Sequence, residues 1–314
     1  MTEGRGGSKD FNERYNGWGS RGLTRAMPRG QSQLGLFAAL GPTSSNQLLL
    51  GTSSWTGDGW VGSFYPAGSQ AADFLPYYAQ RFPTVEIDTT FYRIPMAKTV
   101  EQWRDRTPKG FIFAAKVPQV VTHQKVLIDT ESDLKAFLEI MDLLGDKLGP
   151  LLLQFPYFNK KAFRGVGFFI ERLVPFLKTL PKRYKWAVEV RNKGWLSEKL
   201  YSVLRQHGVA LALVDHAWMP RPHEYFEMGD PVTADFTYIR WLGDRKAIEE
   251  QTTRWDRIIL NREPEMQEWI PIIGKLLKRR IQVMGYWNNH YAGFGPGSIE
   301  LFMRMWKKFE SEGG

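Results

Sequence analysis

Apolar residues along this chain fall into short runs that alternate with stretches of helical spacing. Leu48–Thr52, Thr84–Tyr92, Phe111–Val117, Pro150–Phe155, the stretch opening at Trp186, Val209–Asp215, Phe236–Trp241 and Ile281–Trp287 read as eight strands. Each run is short, apolar on at least one face and bounded by Gly, Pro, Asn or a polar cluster. Helical spacing covers Ala71–Arg81 (interrupted by Pro76), Ala97–Arg106, Asp129–Leu144, Phe168–Leu180, Ser197–His207, Pro264–Arg279 and Ser298–Phe309. Asp129 or Thr130 is the expected cap of the third helix, and Ser197 and Ser298 those of two later ones. Ala217–Pro231, with Pro220, Pro222 and Pro231, reads as a lid or surface excursion. In strand two, Glu86, Asp88, Thr90 and Tyr92 are expected on one face.

The stretch Trp186–Trp195, WAVEVRNKGW, is the most informative. Ala187, Glu189 and Arg191 alternate with Trp186, Val188 and Val190, so one face is apolar and the other ends in charge. That pattern suits a parallel strand covered by helices on its apolar side, with Glu189 and Arg191 at its C-terminal end. Eight such units predict an α/β fold, a single TIM (β/α)8-type barrel with long strand-to-helix loops. A doubly wound open sheet is the runner-up. Its phosphate fingerprint is missing, because GTSSWTGDG after the first strand contains no G-x-G-x-x-G.

Residues 1–46 stand apart: they are rich in Gly, Ser and Arg and carry +3 of the net +9 charge. They are expected to form a flexible or loosely docked tail, with residues 47–314 forming the barrel domain. The chain has no cysteine, which excludes disulfides, thiolate metal sites and cysteine nucleophiles. It has no long apolar run and opens on MTEGRGGSKD, so the expectation is a soluble, cytoplasmic protein without a membrane partner. The basic balance favours anionic partners, among them phosphorylated metabolites and nucleic acid. No oligomeric state follows from these features.

Seven ordered motifs carry a resemblance. They are GTSSW (51–55), VEIDTTFYRIP (85–95), FAAKVP (113–118) with TH (122–123), LLLQFP (151–156), VEVRNKGW (188–195), YIRWLG (238–243) and WNNHYAGFGPGS (287–298). Together they resemble the YecE-like family, domain of unknown function 72, over about Leu48 to Phe309. The resemblance implies a TIM barrel and leaves the activity unassigned.

In such a barrel the strand C-termini converge on one face. Glu189 and Glu86 are the candidate acid–base groups, with His123 as a loop-borne proton donor. Lys116, Arg191 and Arg240 come from three strands and face one cavity. They are read either as an anion clamp or as part of an internally neutralised network. Gln154, Tyr92, Asn288, Asn289 and Trp55 are the remaining candidate substrate contacts. Gly295 and Ser298 in GFGPGS offer a helix N-terminus that could hold phosphate. Glu86, Glu189, Asp215 and His216 are weighed as metal ligands, but Asp215 and His216 point to opposite strand faces and no histidine-rich motif is present. The expectation is an acid–base or hydrolytic enzyme without metal or cofactor, acting on a small anionic substrate, phosphorylated ones included. The alternative is a nucleic-acid-binding protein, or a metal-dependent nuclease or isomerase-like barrel.

Overall fold

The computed structural model describes residues 47–313. The expectation of a flexible tail over residues 1–46 lies outside them. Eight strands run β1 (Leu48–Thr52), β2 (Thr84–Ile87), β3 (Ile112–Lys116), β4 (Leu148–Gln154), β5 (Trp186–Glu189), β6 (Ala210–Asp215), β7 (Phe236–Trp241) and β8 (Gln282–Trp287). Between and after them come α1 (Ala71–Ala79), α2 (Ala97–Asp105), α3 (Glu131–Met141), α4 (Val166–Thr179), α5 (Glu198–His207), α6 (Pro222–Glu227), α7 (Arg245–Glu249), α8 (Glu263–Lys278) and α9 (Gly295–Ser311). All ladders are parallel and the strand order is β1-β8-β7-β6-β5-β4-β3-β2. Sequence neighbours are thus sheet neighbours, and the sheet curls into a nearly closed TIM barrel.

Closure is completed at the β1/β2 seam by a side chain. No ladder joins these strands among the described residues. The Tyr78 hydroxyl of α1 accepts from the Thr52 N–H at 2.8 Å and donates to the Thr84 carbonyl at 3.1 Å. Gly51 permits the approach, since a Cβ there would lie 2.0 Å from the Thr84 oxygen. The ladders themselves are uneven. β7 and β8 pair from Phe236↔Gln282 through Trp241↔Trp287, whereas β5 and β6 share only Ala187↔Ala210 and Val188↔Leu211.

Strand alternation sorts the core into two layers. Inside the barrel, alanines 114, 187, 210 and 212 face a space filled by Phe236, Tyr238 and Tyr286. The Tyr238 and Tyr286 rings lie 4.9 Å apart and are both fully buried. Small residues thus stand opposite large ones in the interior. Outside, Val85, Ile87, Phe113, Val188 and Ile239 meet the helices. There Trp241 and Trp287 stack at 3.6 Å, with Gly285 leaving room for the Trp241 ring.

Several expected boundaries move. Strand two stops at Ile87, and Thr89–Phe91 forms a 3-10 turn. The cause is Thr90, whose buried hydroxyl meets the carbonyls of Ile87 at 2.9 Å and Lys116 at 2.7 Å, where β2 and β3 both end. Tyr92 therefore does not share a strand face with Glu86 and is 66% exposed. The last helix begins at Gly295 and not at Ser298, with Pro296 in its first turn. Ser298 is no cap; its hydroxyl donates back to the Phe294 carbonyl at 2.8 Å. The third helix begins at Glu131 after Thr130, which makes no side-chain cap, as is also true of Ser197. The stretch 217–231 holds α6 and is anchored, because the Tyr225 hydroxyl bonds the Val214 N–H at 3.1 Å.

Tyr78→Phe is expected to leave the Thr52 N–H and Thr84 carbonyl unsatisfied in a buried seam. The loss should be about 1–3 kcal/mol with the fold retained. Urea unfolding followed by circular dichroism checks this; an unchanged midpoint would mean that the seam does not depend on the hydroxyl.

Candidate functional site

Three strand ends meet through one guanidinium. Arg240 of β7 is 3% exposed, and Glu86 of β2 and Glu189 of β5 are 0% exposed. Arg240 Nη2 donates to Glu86 Oε1 at 2.7 Å and Nη1 donates to Glu189 Oε2 at 2.8 Å. The second oxygen of Glu86 accepts the Tyr238 hydroxyl at 2.6 Å, and the second oxygen of Glu189 accepts Arg191 Nε at 2.5 Å. A planar fork with separate donors suits two carboxylates at once, which an ammonium cannot match. Arg240 Nε is buried without a hydrogen-bond partner.

Electrostatics follow from this chain of contacts. Burial would raise the Glu189 pKa, but Arg191 and Arg240 outweigh it and hold the carboxyl at about 2. Arg240 resists the opposite pull of burial, because Glu86 and Glu189 keep it charged well above the ordinary range. The third cation, Lys116, lies 3.3 Å from Asp88 and 3.8 Å over the Phe91 ring. Lys116, Arg191 and Arg240 therefore each have a carboxylate partner.

Two histidines flank this network. His123 sits in a π-helical turn, Val120–Gln124, with Nδ1 2.9 Å from the Thr122 hydroxyl. Burial first, then Lys116 and Arg191, lower its pKa to about 4. His216 follows β6 and is also lowered, by burial and then by Arg191. Both rings are neutral at neutral pH. The Trp218 N–H donates to His216 Nδ1 at 3.3 Å, which leaves Nε2 carrying the proton.

A cavity of about 980 Å³ opens above the ends of β4, β5 and β6. Gln154, Arg191 and His216 line it, together with Lys160, Arg164 and Lys193; among the described residues no Asp or Glu does. One wall is a rigid aromatic stack, with Phe158 5.8 Å and Phe169 4.8 Å from Trp195. Asn192 stitches that wall together. Its Oδ1 accepts the Phe158 N–H at 2.9 Å and its Nδ2 donates to the Phe158 carbonyl at 2.8 Å.

The model of the protein family described as "Protein of unknown function DUF72" matches residues 49–312. The chain belongs to this family. It is 30% identical to the UPF0759 protein YecE of Escherichia coli over 186 residues, 56% of this chain and 62% of that protein. It is 31% identical to the UPF0759 protein YunF of Bacillus subtilis over 152 residues, 46% of this chain and 52% of that protein. These matches thus span about three fifths and about half of the relatives' own length. A DUF72 family protein of Thermotoga maritima superposes with TM-score 0.63 at 27% identity, covering 84% of this chain and 99% of that one. One from Enterococcus faecalis gives 0.58 at 21% identity, covering 85% and 98%. The latter likeness bears on the fold alone.

Within this DUF72 barrel, the remaining expected residues divide. Gln154 pairs in register with Glu189 and reaches the cavity, though its Nε2 donates to the Phe155 carbonyl. Asn288 accepts the His290 N–H at 3.0 Å, and Asn289 accepts the Gly295 N–H at 2.9 Å. Asn289 thus supplies the cap that Ser298 does not, and the Gly295 N–H is already occupied. Trp55 packs edge-on against Trp103 at 5.3 Å and Phe113 at 6.4 Å, in the outer layer. Tyr92 lines a second cavity beside the Val120–Gln124 turn. Asp215 points outward, as alternation requires, and accepts Trp269 Nε1 at 2.7 Å. Among the described residues no three of His, Asp and Glu come together as a metal-holding group, and no helix is long and apolar enough to cross a membrane.

The residues that pattern reading passed over are Asn192, Lys160, Arg164 and Trp218, whereas His216 was expected at the mouth and lines the cavity. The basic run NKKAFRG (159–165) after strand four was the visible signal of Lys160 and Arg164.

Two pH windows follow. Glu189, ordinarily near 4.5 and held at about 2, contributes roughly 3 kcal/mol above pH 4.5 that is lost as pH falls toward 2. Glu189→Gln is expected to cost about 3–5 kcal/mol at pH 7 and to flatten that acid limb. Denaturant midpoints at pH 7 and across the acid range test both; wild-type stability at pH 7 would mean that Glu86 alone satisfies Arg240. His123, ordinarily near 6.5 and lowered to about 4, is protonated in the unfolded chain first. Stability should therefore fall as pH drops from about 6.5 to 4, and His123→Gln should remove that part of the slope. An identical slope in the variant would exclude His123 as its source.

Proposed function

We propose that this protein is an acid–base enzyme acting on a small anionic substrate held at the barrel mouth. The observation that carries the reading is the meeting of two kinds of group at one place. Among the described residues the cavity is lined by four cations and no carboxylate, and by a histidine whose burial keeps it neutral. The cations supply anion recognition, and a neutral imidazole supplies an N–H donor for the atom on which charge develops.

The roles divide by chemistry. Arg191 is the end of the buried ion chain that reaches the cavity, and with Lys160, Arg164 and Lys193 it forms the positive lining that meets the substrate's anionic group. His216 keeps its Nε2 proton and offers it as a hydrogen bond to the oxygen on which charge develops, and His123, whose ring is neutral, takes up the proton that the substrate releases. Glu189 is too acidic to accept a proton at neutral pH, so it and Glu86 position Arg191 and Arg240. Phosphorylated compounds fit the cationic lining, and both hydrolysis and isomerisation are proton-transfer chemistry of this kind.

A panel of phosphorylated and carboxylated metabolites tests the reading. Turnover would be followed by phosphate release and by deuterium uptake from solvent in proton NMR. At least one anionic compound is expected to react. His216→Asn should lower kcat by about 10²–10⁴-fold with the circular dichroism spectrum unchanged. Full activity in His216→Asn and in His123→Asn would sink the assignment.

A further inference from the structure

Trp218 is the most exposed large apolar side chain among those described, at 79%. It is nevertheless held in place. Its backbone N–H bonds His216 Nδ1 at 3.3 Å, and its ring meets the His216 ring edge at 5.3 Å. An indole face fixed in water, lining a cavity, needs a reason that packing does not provide. Tyr157 repeats the arrangement on the loop after β4: it lines the same cavity and is 69% exposed. The loops bearing Tyr157 and Trp218 flank the β5 loop with Arg191 and Lys193.

The cations differ in how they are occupied. Arg191 is bound to Glu189, and Lys193 lies 3.1 Å from Glu224. Lys160 and Arg164, in the segment between β4 and α4, form no ion pair among the described residues; Arg164 lies over the exposed Phe168 ring at 5.9 Å. Two unpaired cations next to two exposed aromatic faces fit a ligand with a flat ring at one end and a multiply charged oxyanion at the other. Base–aromatic stacking and phosphate–cation pairing are the interactions such a surface offers. A volume of about 980 Å³ is ample for one such molecule.

We infer that the cavity binds a nucleoside monophosphate, with its base on Trp218 and Tyr157 and its phosphate on Lys160 and Arg164. The inference rests on the proposed anion site and names the class of substrate it takes. The ribose and its ester oxygen then lie toward Arg191 and His216.

Isothermal titration calorimetry on the full chain separates the two levels of the argument. The probes are the four ribonucleoside 5′-monophosphates, ribose 5-phosphate and inorganic phosphate. At least one mononucleotide should bind about tenfold tighter than ribose 5-phosphate. Trp218→Ala should erase that margin while leaving the affinities for ribose 5-phosphate and phosphate as they were. The double variant Lys160→Ala/Arg164→Ala should weaken every phosphorylated probe. Equal affinity for mononucleotides and ribose 5-phosphate, or a margin that survives Trp218→Ala, overturns the nucleotide assignment and leaves the anion site standing. Absence of binding by all of the phosphorylated probes overturns both.

Discussion

The guanidinium of Arg240 is the interaction on which the barrel mouth depends. It sits between two carboxylates that are wholly buried, and it joins residues 154 and 51 positions apart in sequence. Burying three charges is unfavourable unless each finds a partner with good geometry. Here both terminal nitrogens are used, one on each carboxylate, and the outer carboxylate oxygens are taken by Tyr238 and Arg191. The strut crosses the barrel from β7 to β2 and β5. Backbone pairing is thinnest near two of those strands: β5 and β6 share two residue pairs, and among the described residues no ladder joins β2 to β1, which Tyr78 bridges. Side-chain charge thus closes the mouth where the ladders do not.

This division of labour changes which groups are free for chemistry. A carboxylate held near pKa 2 is a fixed negative charge at any physiological pH. It can orient an arginine but cannot shuttle a proton efficiently, because a good general base has a pKa near the working pH. Arg191, one of the two arginines that acidify Glu189, also helps burial keep His123 and His216 neutral. One arginine therefore helps hold the Glu189 carboxylate in its charged form and both imidazoles in their neutral form.

Much of this was legible from residue order, and the gaps have physical causes. β1 and β7 lie at Leu48–Thr52 and Phe236–Trp241, as the pattern predicted, since each run is closed by a sharp change of residue type. The inward parity of Glu86, Lys116, Glu189 and Arg240 was also readable, because side chains alternate strictly along a strand. Thr84–Tyr92 misled because threonine suits a strand, yet Thr90 uses its hydroxyl to end two of them. Pairing across the barrel was not readable at all. Whether Arg240 meets a carboxylate or a ligand depends on closure, which no local spacing encodes. Trp218 lies in a proline-rich excursion without periodicity, and the exposure of an indole is a property of the folded surface.

The layering of charge also bears on how deep a ligand can go. Counted with Arg191 the network is neutral, two arginines against two carboxylates, and its donors are nearly all spent; above it the cavity is positive. An anion moving inward past Arg191 would approach the buried carboxylates of Glu189 and Glu86 in a medium that screens charge poorly. On the proposed reading, the anionic end of a substrate goes no deeper than Arg191. The buried carboxylates then do two things at once. They hold the arginine that attracts the ligand, and they set the floor that keeps the ligand beside the groups able to move its protons.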